Sequence, residues 1–184
     1  MGGRMYQPGE RVGGSTSVVT NFLKTGYLWD KVRVMGGAYG AGFSLNARLG
    51  TFAFSSYRDP NVKATIENYK KAADYLINAE IPKQEVERAI IGTISGLDYP
   101  QTPNGKGQTS FSRYFTGYTT EDAQRWRDEV LGTSAEDFKQ FGLRLKKALE
   151  TEGVVGVCAF GSNTALTNAK EEGLEMELKE AFAK

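Results

Sequence analysis

The sequence contains no histidine and only one cysteine, Cys158. Without histidine, the chain lacks the commonest metal ligand and the commonest general base at neutral pH. It therefore cannot by itself build a catalytic zinc site, a Ser-His-Asp triad or a Cys-His pair. A single thiol also excludes an internal disulfide, and the position of Cys158 in the apolar run 154–160 predicts a small residue of the core.

The sequence also lacks an excess of positive or negative charge. It has 23 Lys and Arg residues and 22 Asp and Glu residues, which give a net charge of +1. Nucleic-acid-binding domains usually carry a basic patch, so we expect no nucleic-acid partner. No apolar run is long enough to cross a bilayer and no signal-peptide pattern opens the chain, so we expect no membrane partner. The 184 residues, 40% of them hydrophobic, fit one domain spanning 1–184.

Hydrophobic periodicity predicts strands that are segregated from helices along the chain. This order is typical of the α+β class, with an antiparallel sheet and helices packed on one face. Five phenylalanines are predicted to lie in the core: Phe43, Phe52, Phe54, Phe111 and Phe115. The predicted elements are an irregular start with a short extended piece (1–14), helix 15–34, strands 43–49 and 51–57, helices 61–79 and 81–97, loop 98–107, a short helix around Phe111, helices 119–131 and 134–150, strand 154–160 and helix 164–184.

The segment 30–42 is the most informative part of the chain. Arg33 precedes Tyr39 by six residues, and the pair Gly36 and Gly37 lies between them. A predicted helix end and a predicted strand start can aim the guanidinium and the phenol at one point, where both could donate to a developing negative charge on a substrate carbonyl. Structural alternatives are a glycine C-cap, a core position for Tyr39 and an interaction of Arg33 with the helix dipole.

Residues 27–40, which include this motif, resemble the C-terminal domain of the presequence proteases, or peptidasomes. These are zinc metalloproteases of the pitrilysin/insulinase type. The likeness continues in order through most of the chain, at residues 56–61, 89–94, 106–107, 129–131 and 137–138. It implies a pitrilysin-like metalloprotease domain, the fourth of four homologous α+β domains that form two halves around a chamber.

The resemblance implies that Arg33 and Tyr39 are catalytic, holding the substrate carbonyl and its tetrahedral intermediate. Gly36 and Gly37 are then substrate-binding, because glycine lets backbone approach an extended peptide. The resemblance implies that the full-length enzyme contains zinc, bound by the N-terminal catalytic domains of the same polypeptide. No zinc is expected in this chain. Since the zinc motif, the hinge and the domain's opening strand are missing here, we interpret the chain as an incomplete C-terminal domain that is inactive alone.

The implied substrates are short unstructured peptides, including cleaved targeting presequences. The implied compartment is the mitochondrial matrix or chloroplast stroma in a eukaryote, and the cytoplasm in a bacterium. Two other functions stay open: a non-catalytic structural homologue of such a domain, and a module that binds extended peptides along a strand edge.

Overall fold

The computed structural model describes residues 1–179, and within them it has seven α-helices, one π-helix and four strands. The α+β prediction is confirmed, because the strands form one antiparallel sheet and helices α2–α6 follow one another after the β2–β3 hairpin. The elements are β1 (Gly2–Arg4), α1 (Ser15–Thr25), the π-helix (Trp29–Val34), β2 (Gly40–Asn46), β3 (Thr51–Tyr57), α2 (Val62–Asn78), α3 (Lys83–Leu97), α4 (Pro103–Thr116), α5 (Thr120–Leu131), α6 (Ala135–Glu150), β4 (Val155–Gly156) and α7 (Asn163–Glu171).

The sheet has the strand order β2-β3-β1-β4, and every pairing is antiparallel. The predicted hairpin is β2 and β3, whose register runs from Gly40 opposite Tyr57 to Asn46 opposite Thr51. Alternation buries Phe43, Phe52 and Phe54 on one face, as the period-two pattern predicts. β1 occupies a central position in the sheet, which the irregular, glycine-rich start of the sequence does not reveal.

α1, α2 and α6 pack on the face of the sheet that carries these phenylalanines. α1 contacts α3, α5, α6 and β2 and buries Val18, Val19 and Leu23 completely. α2 packs against α6 closely, because a Cβ placed on Gly142 would lie 2.9 Å from the Leu76 Cβ. Phe138 of α6 is fully buried, so the core lies between the sheet and this helical layer.

Two helix predictions need correction. The predicted single helix 15–34 is interrupted, because Gly26 takes the non-helical dihedrals φ −106° and ψ −93°, and the chain resumes as the wider π-helix. The predicted loop 98–107 already becomes helical at Pro103. There the Thr102 hydroxyl caps the helix by accepting a 3.2 Å hydrogen bond from the Gly105 N–H.

Three predictions of burial or strand are also wrong. The predicted strand 154–160 is reduced to Val155–Gly156, because β1 pairs with only these two residues. Cys158 is consequently exposed rather than in the core. Phe111 and Phe115 are exposed on α4, a helix that buries none of its residues.

The predicted final helix 164–184 corresponds to α7, which ends at Glu171, and its last residues, 180–184, lie outside the described part of the chain. None of the helices within residues 1–179 is long and apolar enough to span a bilayer.

Candidate functional site

Arg33 lies in the last turn of the π-helix, where its guanidinium stacks on an aromatic ring. The Arg33 Cζ lies 3.8 Å from the centroid of the Trp29 ring. The two side chains meet because they are four residues apart on a helix that is wider than an α-helix. A cation–π contact of this kind restrains the guanidinium and leaves its N–H groups available at the edge of the stack.

The turn after Arg33 gives a structural reason for the first of the two glycines. A Cβ on Gly36 would lie 2.5 Å from the carbonyl oxygen of Val32, so this position has no room for a side chain. The Gly36 carbonyl accepts a 2.6 Å hydrogen bond from the Asn61 side-chain amide, which ties the turn to the start of α2.

Gly37 closes the turn in a left-handed conformation, with φ +75°. Its N–H donates to the Arg33 carbonyl at 3.0 Å, and the Ala38 N–H donates to the Val32 carbonyl at 3.1 Å. The C-cap interpretation of the glycine pair is therefore confirmed. Substrate binding by Gly36 and Gly37 stays a prediction, since the turn itself already requires both glycines.

Tyr39 lies immediately before β2, and its side chain is 66% exposed, so the core alternative is wrong. Its N–H donates to the Tyr57 carbonyl at 3.0 Å, and its ring meets the edge of the Tyr57 ring at 6.0 Å between centroids. The Arg58 Cζ in turn lies 5.5 Å from the centroid of the Tyr57 ring. Arg58 has φ 47° and is the single non-glycine residue with positive φ among residues 1–179.

The two proposed donors are thus supported by different aromatic neighbours, Arg33 by Trp29 and Tyr39 by Tyr57. Their convergence on one substrate atom stays a prediction. Sequence reasoning missed both neighbours, although Trp29 is 46% exposed beside Arg33. The signals that could have found them are the four-residue spacing before Arg33 and the pairing of the hairpin ends. Apolar side chains exposed around the same turn are typical of a binding surface: Trp29, Val34, Met35, Tyr39 and Tyr57.

The carboxylates of the described residues do not form a metal centre. No group of three potential ligands from His, Cys, Asp and Glu is close enough to hold an ion in residues 1–179. Carboxylates that have hydrogen-bond partners serve the fold instead. Glu129 accepts a 2.7 Å hydrogen bond from the Gly14 N–H at the start of α1, and the Arg127 side chain, hydrogen-bonded to Asp98, lowers the pKa of that carboxyl.

An antiparallel sheet lies under one helical layer, with a half-buried arginine and an exposed tyrosine on the two sides of a glycine turn, and this arrangement fits a domain of the presequence protease type. A family model described as "PreP C-terminal domain" matches residues 1–160, and the chain belongs to this family. The resemblance inferred from the residues is thereby confirmed.

Curated relatives agree over nearly the whole chain. "Presequence protease 1, chloroplastic/mitochondrial" from Arabidopsis thaliana is 35% identical over 175 residues, which are 95% of this chain and 16% of the relative. "Protein HypA" from Clostridium perfringens is 35% identical over 170 residues, 92% of this chain and 17% of the relative. "Presequence protease, mitochondrial" from Emericella nidulans is 39% identical over 125 residues, 67% of this chain and 12% of the relative. The chain spans 16% and 17% of the length of the first two relatives.

A solved structure shares the fold. The crystal structure of a conserved protein from Enterococcus faecalis V583 superposes with a TM-score of 0.61 over 78% of this chain and 35% of that chain. The sequence identity is 14%, so this likeness supports the fold alone.

Proposed function

We propose that this chain is the C-terminal, substrate-side domain of a longer zinc endopeptidase that degrades short unstructured peptides, such as cleaved targeting presequences. Family membership over residues 1–160 and the names of the relatives support this proposal. By the same analogy the enzyme works in the mitochondrial matrix or chloroplast stroma, or in the cytoplasm of a bacterium.

In this proposal the Tyr39 hydroxyl and the Arg33 guanidinium donate hydrogen bonds to the carbonyl oxygen of the peptide bond that is cleaved. Both groups are donors at neutral pH, and both can stabilise the negative charge that develops on this oxygen. The observation that carries the proposal is the exposed phenol of Tyr39 beside a turn whose other end holds the stacked guanidinium of Arg33. The contacts with Trp29 and Tyr57 restrain both donors before substrate arrives, which lowers the cost of orienting them.

The zinc ion belongs to the N-terminal catalytic domains of the same polypeptide. When bound there, it supplies Lewis-acid polarisation of the scissile carbonyl. The residues of this chain contribute hydrogen-bond donors and peptide orientation from a separate domain. Catalysis then requires the two domains to come together around the peptide, so domain closure is part of the cycle.

The test replaces the two donors in the longer polypeptide and measures hydrolysis of an internally quenched peptide. Tyr39→Phe removes one hydroxyl, and Arg33→Lys keeps the charge but removes the guanidinium fork. Each change is expected to lower kcat by about 10²–10³-fold, as for the loss of one oxyanion donor, and to leave the zinc content unchanged. Matched controls are Tyr114→Phe on α4 and Arg48→Lys in the β2–β3 turn, which make the same chemical changes at other exposed positions.

Wild-type kcat in folded Tyr39→Phe and Arg33→Lys variants would contradict the catalytic assignment. The alternative functions also predict a wild-type kcat. A peptide-binding homologue would show a changed affinity for peptide in these variants, and a purely structural homologue would show no change in affinity. The 184-residue chain alone is expected to show no peptidase activity, with or without added zinc.

A further inference from the structure

Asn61 is the N-cap residue of α2, yet its side chain does not cap that helix. Asparagine is preferred at this position because its side-chain oxygen accepts a hydrogen bond from an N–H of the first turn. No such bond forms at Asn61, whose backbone has φ −122° and ψ 64°. Its amide instead donates a 2.6 Å hydrogen bond to the carbonyl of Gly36, 25 residues earlier in the chain. The side chain therefore serves the turn between Arg33 and Tyr39 rather than its own helix.

Burial does little to hold that turn in place. Val34 and Met35 are 65% and 72% exposed, and the two glycines that follow them have no side chain that could pack. Within residues 1–179, no side chain other than that of Asn61 forms a hydrogen bond with the backbone of residues 34–38. The Asn61 amide is therefore the polar link between the turn and α2.

The chain between β3 and α2 fixes where the Asn61 amide lies. The Asp59 carboxylate accepts a 2.9 Å hydrogen bond from the Asn61 N–H, which is the pattern of an Asx turn. At the other end of the same short segment, the Tyr57 carbonyl accepts a 3.0 Å hydrogen bond from the Tyr39 N–H. Residues 57–61, which we call the support segment, therefore hold both the middle and the end of the turn.

The support segment contains a strained residue. Arg58 lies where the chain turns from β3 towards α2, and its φ of 47° is unfavourable for a residue with a Cβ. Such strain persists where the surrounding contacts fix the backbone, and it concentrates at functional sites. Here it accompanies a sharp turn that keeps Tyr57 paired with Tyr39 and still brings the Asn61 amide to the Gly36 carbonyl.

We propose that Asn61 is a positioning residue: its hydrogen bond to the turn fixes the place of the Tyr39 phenol relative to the Arg33 guanidinium. This inference rests on the proposed function, because it concerns the two donors assigned there. Gly36 lies midway between the donors in sequence, and Arg33 is already restrained by its stack on Trp29. A shift of the turn therefore moves Tyr39 more than it moves Arg33. A misplacement of about 1 Å can lower the rate of a reaction by about 100-fold.

The substitutions Asn61→Asp and Asn61→Ser test this role in the longer polypeptide. Both keep a residue that is preferred at an N-cap, so α2 should begin normally and the circular dichroism should be unchanged. Aspartate offers the Gly36 carbonyl no donor, and the serine hydroxyl is one bond too short to reach it. Each variant is expected to lower kcat for the quenched peptide by about 10–100-fold, while KM and the zinc content change little. The matched control Asn104→Asp makes the same change near the start of α4 and should keep wild-type kcat.

A double-mutant cycle separates positioning from a general structural role. In the Tyr39→Phe background the phenol hydroxyl is already absent, so Asn61→Ser should lower kcat by no more than about twofold further. If the two effects multiplied in full, Asn61 would act on something other than Tyr39 and the proposal would be overturned. Failure of both Asn61 variants to fold would also overturn it, because the residue would then serve the fold as a whole.

The single variants distinguish this proposal from the proposed function. Wild-type kcat in Tyr39→Phe contradicts the proposed function, and the positioning role is then wrong with it. A lowered kcat in Tyr39→Phe together with wild-type kcat in the folded Asn61 variants overturns the positioning role alone and leaves the proposed function standing.

Discussion

The turn between Arg33 and Tyr39 can be tested by adding one methyl group to Gly37. Gly37 has φ +75°, a conformation that costs an L-residue with a Cβ about 1–2 kcal/mol. A Cβ at this position would meet only the Pro60 Cγ at 3.6 Å, an ordinary van der Waals distance. Gly37→Ala therefore probes backbone strain without a clash, and we expect the free energy of unfolding to fall by about 1 kcal/mol.

Two further variants separate strain from steric overlap. Gly37→Asn should cost less than Gly37→Ala, because asparagine tolerates left-handed dihedrals better than alanine does. Gly36→Ala should cost more than either, about 1–3 kcal/mol, because its Cβ would lie 2.5 Å from the Val32 carbonyl oxygen and the turn must move. This movement also shifts Tyr39 relative to Arg33, so the same variant should lower kcat in the longer polypeptide.

Urea unfolding of the 184-residue chain, followed by circular dichroism, measures these differences if the slope of the transition is unchanged. For a chain of this size, 1 kcal/mol corresponds to a decrease in Tm of roughly 2–4 °C. The expected order of stability is wild type, Gly37→Asn, Gly37→Ala and Gly36→Ala. A Gly37→Ala variant as stable as the wild type, or less stable than Gly36→Ala, would refute the description of the turn.

Two other substitutions test the strain at the end of β3 and the packing of α2 on α6. Arg58→Gly should raise the free energy of unfolding by about 1 kcal/mol, because glycine adopts the φ of 47° without strain. Arg58→Ala keeps this backbone strain, so an equal gain in stability from the alanine variant would contradict the explanation. Gly142→Ala should lower stability by about 1–3 kcal/mol, because the new Cβ would lie 2.9 Å from the Leu76 Cβ. In the control Gly107→Ala in α4, the new Cβ would have no other atom within 4 Å, so this variant should raise the free energy of unfolding by about 0.5–1 kcal/mol. If Gly142→Ala gave a similar gain in thermal unfolding, α2 and α6 would not be in close contact.

The α+β class and the β2–β3 hairpin could be predicted from the sequence, because both depend on local patterns. Strict alternation around Phe43 and Phe52 specifies strands with one buried face, and the short turn between them makes their pairing nearly local. The interruption at Gly26 and the start of α4 at Pro103 could not be predicted in the same way. Both depend on single dihedral angles and caps, to which a periodic pattern is insensitive.

The candidate site was only partly predictable for a similar reason. The spacing of Arg33, the glycine pair and Tyr39 indicated two donors on either side of a turn, and the structure has this turn. The cation–π contact with Trp29 depends on the π-helix, and the contact between Tyr39 and Tyr57 depends on strand pairing. The four-residue spacing of Trp29 and Arg33 is a local signal for the first contact, whereas the second follows only once the register of the hairpin is known.

The sequence by itself determined which donors the chain offers: it has no histidine, and Arg33 and Tyr39 carry hydrogen-bond donors. Through the period of its hydrophobic residues it also determined the β2–β3 hairpin and the α+β class. Tertiary structure alone decided that residues 2–4 form an inner strand and that Cys158 stays exposed. The physical reason is that a strand exists only with a partner, so the apolar run 154–160 pairs no further than β1 reaches.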